Sequence, residues 1–128
     1  MNGRGGRHWH RHRGYIAQML QPALLLCLHH KPAHGYALME QLAKFQVTDV
    51  PMGRVYRALR DMEASGWVTS TWDDEKTQGP PRRVYHLTAA GDKVLAGWID
   101  HLEESQAAIA SLLRTYQKHM AEGEGDFH

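Results

Sequence analysis

Three arginines spaced three residues apart, Arg54, Arg57 and Arg60, are the side chains of this sequence best suited to bind another molecule. At about 100° per residue they share one side of a predicted helix over residues 52–65. The other side carries the apolar residues Val55, Ala58, Leu59 and Met62. Guanidinium groups bind phosphate oxygens and pair bidentately with guanine edges, so such a helix suits the major groove of DNA.

Tyr56 lies beside Arg60 on the same helix, where its hydroxyl could donate to a phosphate. The alternative interpretation of this helix is a solvated basic face, whose charge Asp61 and Glu63 would balance.

A second basic group follows a Gly-Pro-Pro turn at residues 79–81. Arg82 and Arg83 begin a predicted strand that forms a hairpin with residues 67–73, and the polar loop between the strands carries Lys76. Positive charge on a hairpin can contact the DNA backbone beside the groove, although it is also common on exposed hairpins. A basic helix followed by a basic hairpin favours a winged helix-turn-helix that binds double-stranded DNA.

Two further helices precede the arginine helix. The first runs from Tyr15 to His30, and Pro22 either kinks it or marks its true start. The second begins at His34-Gly35-Tyr36 and extends to about Phe45. Gly66 is expected to end the arginine helix, because glycine readily adopts the backbone conformation found after a helix.

A long C-terminal helix is predicted from Thr88, a good N-cap, to about Met120. Its apolar residues recur at spacings of three and four: Leu95, Trp98, Ile99, Leu102, Ile109, Leu112, Leu113 and Tyr116. Unbroken, it would be about 50 Å long at ~1.5 Å per residue, too long for one small domain to bury both ends. The stripe therefore predicts a partner helix, most simply from a second copy of the chain.

The charge of the chain is nearly balanced, with 15 Lys and Arg, 14 Asp and Glu, and a net charge of +1. Its distribution is uneven, because no acidic residue precedes Glu40 and the last residues are acidic. We predict a disordered basic arm at 1–13, a winged-helix domain at 14–87, a dimerisation helix at 88–120 and a disordered acidic tail at 121–128.

Several classes of protein are disfavoured by what the sequence lacks. Cys27 is the sole cysteine, which excludes an intramolecular disulfide and favours a reducing compartment. Without a bilayer-spanning apolar run or a secretory signal, we expect a cytoplasmic protein with no membrane partner. A phosphate-binding glycine loop, a nucleophile elbow and a catalytic triad spacing are also missing, so we predict neither an enzyme nor a cofactor.

Histidines form two groups that could bind a metal. His8, His10 and His12 would project from one side of an extended arm and could bind zinc, nickel, copper or haem. Cys27 and His30 lie one helical turn apart. Neither group has a carboxylate or paired-cysteine framework, so no metal site is predicted, and a metal- or haem-responsive arm stays an alternative.

The order of these motifs resembles the PadR family of bacterial transcriptional regulators over residues 24–91. The segments that carry the resemblance are HGYAL at 34–38, GRVYRAL at 53–59, EASGWV at 63–68 and GPPRRVYHLTAAG at 79–91. It implies a winged helix-turn-helix, a single C-terminal dimerisation helix as in the shorter subgroup, and a dimer on a pseudo-palindromic operator. The family often has a small hydroxyl residue at position 54 and proline at 57, where this chain has arginine.

The resemblance also implies that a small hydrophobic or aromatic effector binds at or near the dimer interface. The candidate pocket residues are Tyr15, Met19, Leu95, Trp98, Ile99 and Leu102. Packing of helix against helix is the alternative interpretation, since an aromatic stripe at helical spacing is usually core.

The predicted fold is α+β and mostly helical, a winged helix-turn-helix with one long C-terminal dimerisation helix. The predicted function is a sequence-specific, ligand-responsive dimeric repressor. Two alternatives stay open: a winged-helix module that binds proteins rather than DNA, and a MarR-like regulator, which would need an additional N-terminal helix for dimerisation.

Overall fold

The computed structural model describes residues 2–73 and 81–123, with side chains from residue 14 onward. In chain order the elements are α1 (Asn2–His30), β1 (Ala33–His34), α2 (Gly35–Leu42) with a 3-10 turn (Ala43–Phe45), α3 (Met52–Ala64), β2 (Val68–Asp73), β3 (Arg82–Leu87) and α4 (Ala89–Ala121). The predicted α+β, mostly helical winged helix-turn-helix is confirmed. Within the described residues, no helix is both long enough and apolar enough to cross a membrane.

The three strands form one antiparallel sheet in the order β1-β3-β2. The hairpin pairs Val68 with Leu87 at its base and Asp73 with Arg82 toward its tip. On the other edge, Ala33 and His34 of β1 pair with Tyr85 and Val84. Two residues are too few to show the alternation that marks a strand, so β1 was not predicted from the sequence.

The chain divides into two compact units, one ending at Leu95 and the other beginning at Ala96. All the buried apolar side chains that the structure describes belong to the first unit. The largest fully buried ones come from α1, α2, α3 and the sheet: Leu24, Leu25, Leu38, Leu42, Val55, Leu59, Met62 and Val68. This core holds the outer faces of α3 and of the hairpin in place.

Helix α1 continues through Pro22, so this proline is not its start. Proline removes one helical hydrogen bond, and the burial of Leu20, Ala23 and Leu24 on either side offsets that loss. The helix backbone extends to Asn2 and includes residues that the sequence assigned to an arm. Side chains of residues 1–13 lie outside the described part of the chain, and the role of the arm stays a prediction.

The start of α4 is bonded to the turn between α3 and β2. The hydroxyl of Thr88 accepts a hydrogen bond from the Gly91 N–H (3.0 Å) and donates to the Gly66 carbonyl (2.7 Å). Thr88 is therefore the N-cap that the sequence predicted. Gly66 has φ +83°, which glycine adopts without strain. Gly91 approaches the same turn so closely that a Cβ there would lie 2.1 Å from the Trp67 carbonyl oxygen.

We expect Gly91→Ala to lower the free energy of unfolding by about 1–3 kcal/mol, because the added methyl meets backbone that cannot move aside. Gly97→Ala is the matched control on the same helix, since a Cβ there would meet no described atom within 4 Å. It should leave stability unchanged or raise it by up to about 1 kcal/mol. Chemical denaturation followed by circular dichroism measures both, and equal stabilities for the two variants would contradict the close contact.

Candidate nucleic-acid interface

Helix α3 has one buried and one exposed face. Val55, Leu59 and Met62 are fully buried, with at most 1% of each side chain exposed. Arg54 and Arg57 are exposed on the other side, and so is Arg60. The spacing of three and four residues places the apolar side chains toward the core, so the arginines must face outward. The amphipathic orientation predicted for this helix is confirmed.

The three arginines form no ion pair with the part of the domain that the structure describes. Among the described residues, no carboxylate lies within salt-bridge distance of Arg54, Arg57 or Arg60. Glu63, one of the two acids expected to balance them, instead accepts a hydrogen bond from the Ser70 hydroxyl at 2.8 Å. The arginine face of α3 is therefore open to an external anion.

Tyr56 has a packing role that the sequence did not predict. Its side chain is half-buried against the start of α2, where a Cβ on Gly35 would lie 2.6 Å from the Tyr56 hydroxyl oxygen and 2.7 Å from the ring. A side chain at position 35 would displace the Tyr56 ring, so Gly35 of the HGY segment lets Tyr56 of α3 pack against the start of α2. A hydrogen bond from Tyr56 to a DNA phosphate stays a prediction.

The hairpin presents Arg83 stacked on a tryptophan. The guanidinium carbon of Arg83 lies 4.6 Å from the ring centroid of Trp72, its partner across the hairpin. The Trp72 side chain is 63% exposed. A cation on an aromatic face is held by the ring quadrupole, which orders the long arginine side chain. Sequence reasoning missed Trp72, although predicted pairing of the two strands could have placed a tryptophan opposite an arginine.

Arg82 is held on the opposite side of the hairpin, because adjacent strand residues point to opposite faces. Its Nη1 lies 3.2 Å from Nε2 of His34 in β1. The two arginines of the hairpin are thus ordered by different neighbours. Lys76, the third predicted cation of the wing, lies outside the described residues.

Tyr85 and Cys27 are two buried groups in the same unit whose protonation the fold shifts. Burial raises the pKa of the Tyr85 hydroxyl, and the nearby Arg83 offsets part of the effect. Burial also raises the pKa of the Cys27 thiol, opposed by Lys44. A thiol kept protonated in this way is a poor nucleophile, so Cys27 fits the structural role that the sequence indicated.

Metal-binding geometry is not found in the described part of the chain, where no group of three or more His, Cys, Asp or Glu side chains could hold an ion. The side chains of His8, His10 and His12 lie outside that part. A metal- or haem-responsive arm therefore stays an alternative prediction.

The six residues predicted to line an effector pocket divide between the two units. In the first, the Tyr15 hydroxyl donates to the Phe45 carbonyl at 2.5 Å, Met19 is half-buried and Leu95 is buried. In the second, the Trp98 ring meets His101 edge-on at 5.8 Å, while Leu102 is half-buried and Ile99 exposed. The assembly of these residues into one pocket stays a prediction.

A surface cavity of about 390 Å³ lies between α1 and α2 within the first unit. Its lining side chains are Leu26, Cys27, His29, His30, Gln41, Lys44 and Phe45. None of them belongs to the predicted effector pocket.

Comparison with known proteins identifies the family. The family described as "Transcriptional regulator PadR-like family" matches residues 24–97, more than half of the chain. This range contains α2, α3, both hairpin strands and the beginning of α4. No curated protein matches the sequence.

Solved structures agree with this assignment. A conserved protein of unknown function, described as a potential transcriptional factor, has 33% identity and a TM-score of 0.71, covering 84% of this chain and 95% of its own. A PadR-like transcription factor from Bacteroides fragilis has 26% identity and a TM-score of 0.64, covering 78% and 96%. A PadR family transcription regulator from Clostridium difficile, 22% identical with a TM-score of 0.65, shares the fold over 74% of this chain and 98% of its own.

With its exposed arginine helix, its basic hairpin and this match over residues 24–97, the chain belongs to the PadR-like family of transcriptional regulators.

Proposed function

We propose that this regulator binds a specific DNA operator as a dimer, with α3 in the major groove and the β2–β3 hairpin on the flanking backbone. The observation that supports this most directly is the row of exposed arginines on α3, which have no acidic partner among the described residues. Arginine on a helix can read guanine bidentately or hold phosphates. The buried face of α3 supplies the rigid anchor that such readout requires.

The hairpin adds backbone contacts that position the domain on DNA. Arg83 is ordered by its stack on Trp72, and Arg82 by its bond to His34. Phosphate contacts set the register of a DNA-binding domain, while base contacts specify the sequence. The net charge is only +1, so we expect the attraction to come from this local surface rather than from the chain as a whole.

The second unit supports a dimer through α4. Large apolar side chains at spacings of three and four are exposed there: Ile109, Leu112, Leu113, Tyr116 and Met120. At about 100° per residue they fall on one side of the helix, together with Trp98 and Leu102. A contiguous apolar stripe of this kind marks an interaction surface, and the same stripe on a second copy would complement it.

We propose further that the protein is a repressor and that a small hydrophobic or aromatic ligand near Trp98 weakens operator binding. Two α3 helices that enter successive major grooves must be about 34 Å apart. A ligand wedged between the α4 helices of the two copies would change that separation. The half-buried Trp98 ring offers a flat surface on which such a ligand could stack.

A module that binds proteins rather than DNA is the second candidate. It would be expected to show apolar or acidic side chains on the outer face of α3, whereas Arg54, Arg57 and Arg60 occupy that face. Salt dependence separates the two, because counterion release makes DNA affinity fall by orders of magnitude between about 50 and about 200 mM salt. A hydrophobic protein contact is much less sensitive.

Arg57→Ala should reduce affinity for the DNA upstream of the protein's own gene by about 10- to 100-fold, the usual value of a bidentate base contact. Arg114→Ala removes an exposed arginine from α4 and serves as the matched control, with an expected change of less than about twofold. Fluorescence anisotropy over a range of salt concentrations measures both. Unchanged binding by a folded Arg57→Ala variant would contradict the assignment of α3 as the recognition helix.

Trp72→Ala should weaken DNA binding by about two- to fivefold, because an exposed cation–π contact contributes about 0.5–1 kcal/mol to ordering Arg83. Since Trp72 acts through Arg83, the substitution should have no further effect in an Arg83→Ala background. The same anisotropy assay on the four proteins of this cycle tests the coupling. Additive losses would show that Trp72 contributes independently of Arg83.

Leu112→Glu should dissociate the dimer, because a carboxylate would be buried in the centre of an apolar stripe that is now 72% exposed at this residue. Ser111→Glu places the same charge on the opposite side of α4 and should leave the dimer intact. Sedimentation velocity gives the mass of each variant. A dimeric Leu112→Glu protein would exclude this stripe as the interface.

A further inference from the structure

His34 places both nitrogens of its ring next to hydrogen-bond donors. Its Nδ1 lies 3.4 Å from the backbone nitrogen of Ala37, as the N-cap of α2. Its Nε2 lies 3.2 Å from Nη1 of Arg82 on β3. A backbone N–H and a guanidinium can only donate, so both contacts require the imidazole to accept.

A neutral imidazole cannot satisfy both donors, because one nitrogen accepts and the other carries the proton. We propose that His34 is a positioning residue that alternates between two tautomers, one that caps α2 and one that holds Arg82, so that release of Arg82 to a DNA phosphate strengthens the first turn of α2. The release of Arg82 to DNA rests on the proposed function. The statement that His34 accepts only one of the two hydrogen bonds at a time does not depend on it.

The position of His34 connects the elements that would bind DNA. In β1 it pairs with Val84, which places it beside Arg82 on the hairpin. The next residue, Gly35, is the first of α2 and receives the ring of Tyr56 from α3. The residue that caps α2 is therefore adjacent in sequence to the glycine against which α3 packs.

In the DNA-free protein the bond to Arg82 should prevail. It is the shorter of the two contacts, and a charged donor makes the stronger hydrogen bond. The ring then carries its proton on Nδ1, and the Ala37 N–H has no acceptor in His34. When Arg82 leaves, the Nδ1 proton passes to water, a proton from water binds Nε2, and Nδ1 accepts from Ala37. His34 is half-buried, so water reaches it.

Two substitutions separate the two bonds. The amide of asparagine occupies nearly the position of Nδ1, and asparagine is among the best N-caps, so His34→Asn keeps the cap and loses Arg82. The longer glutamine places its amide near the position of Nε2, so His34→Gln keeps the acceptor for Arg82 and loses the cap. Arg82→Ala removes the competing donor and leaves His34 intact.

The experiment is NMR of the full chain at about pH 7.5, followed on the neutral form of the ring. Nitrogen-15 shifts of the His34 ring identify the tautomer, and exchange of the Ala37 amide with water reports the cap. Without DNA, Arg82→Ala should move the proton to Nε2 and slow Ala37 exchange about fivefold, the usual effect of one N-cap. Operator DNA should do the same to the wild-type protein.

The variants provide the controls. Ala37 exchange in His34→Asn should be slow with and without DNA, and in His34→Gln it should be fast in both states. If the His34 tautomer is unchanged in DNA-free Arg82→Ala, the hydrogen bonds from Arg82 and from the Ala37 N–H do not compete for His34. This result would overturn the proposal independently of DNA binding.

A tautomer shift in Arg82→Ala but not in a formed wild-type complex would overturn the coupling to DNA and leave the proposed function standing. Failure of the wild-type protein to bind DNA at low salt would overturn the coupling together with the proposed function. The Arg82→Ala result would still decide whether the two bonds exclude each other.

Discussion

Burial of one side of α3 is the constraint on which the rest of this molecule depends. Val55, Leu59 and Met62 are removed from water against α1, α2 and the sheet, and each contributes on the order of 1.5–3 kcal/mol. Because that side of α3 is buried in the core, the arginines spaced three residues apart must lie on its exposed side. The Tyr56 ring of α3 packs against Gly35 at the start of α2. The same packing that stabilises the domain therefore orients the surface proposed to bind DNA.

In the hairpin, the alternation of side chains along a strand determines where the two arginines lie. Alternation along β3 sends Arg82 and Arg83 to opposite faces, and each finds a neighbour of its own, His34 from β1 and Trp72 from β2. Long cationic side chains lose rotamer freedom when they bind, so the Trp72 ring that already orders Arg83 reduces the entropic cost of a complex, whereas Arg82 must leave His34 in the switch proposed above. At the base of the hairpin, the hydrogen bonds of Thr88 join the end of the sheet to the first turn of α4.

Membership of the PadR-like family establishes a class of transcriptional regulator. The arginine face of α3 and the apolar stripe of α4 are the features that this chain adds to that general description. Arginine at positions 54, 57 and 60 concentrates charge on the proposed reading face. Glu63 forms no ion pair with these arginines among the described residues; its carboxylate accepts a hydrogen bond from Ser70. The exposed apolar stripe of α4 in the second unit is a separate feature, and we propose that it pairs with a second copy of the chain.

Local pattern alone determined much of this protein. The amphipathic period predicted α3 within one residue of its observed end, Thr88 was recognisable as a cap, and the Gly-Pro turn separated two strands that do pair. Periodicity and capping depend on neighbours a few residues apart, so they can be read along a sequence.

Tertiary structure decided which distant residues meet: Arg82 with His34, Tyr56 with Gly35, and Gly91 with Trp67. It also decided that α1 passes through Pro22, because burial of the surrounding helix outweighs one lost hydrogen bond. Those outcomes depend on close approach between segments that only folding brings together.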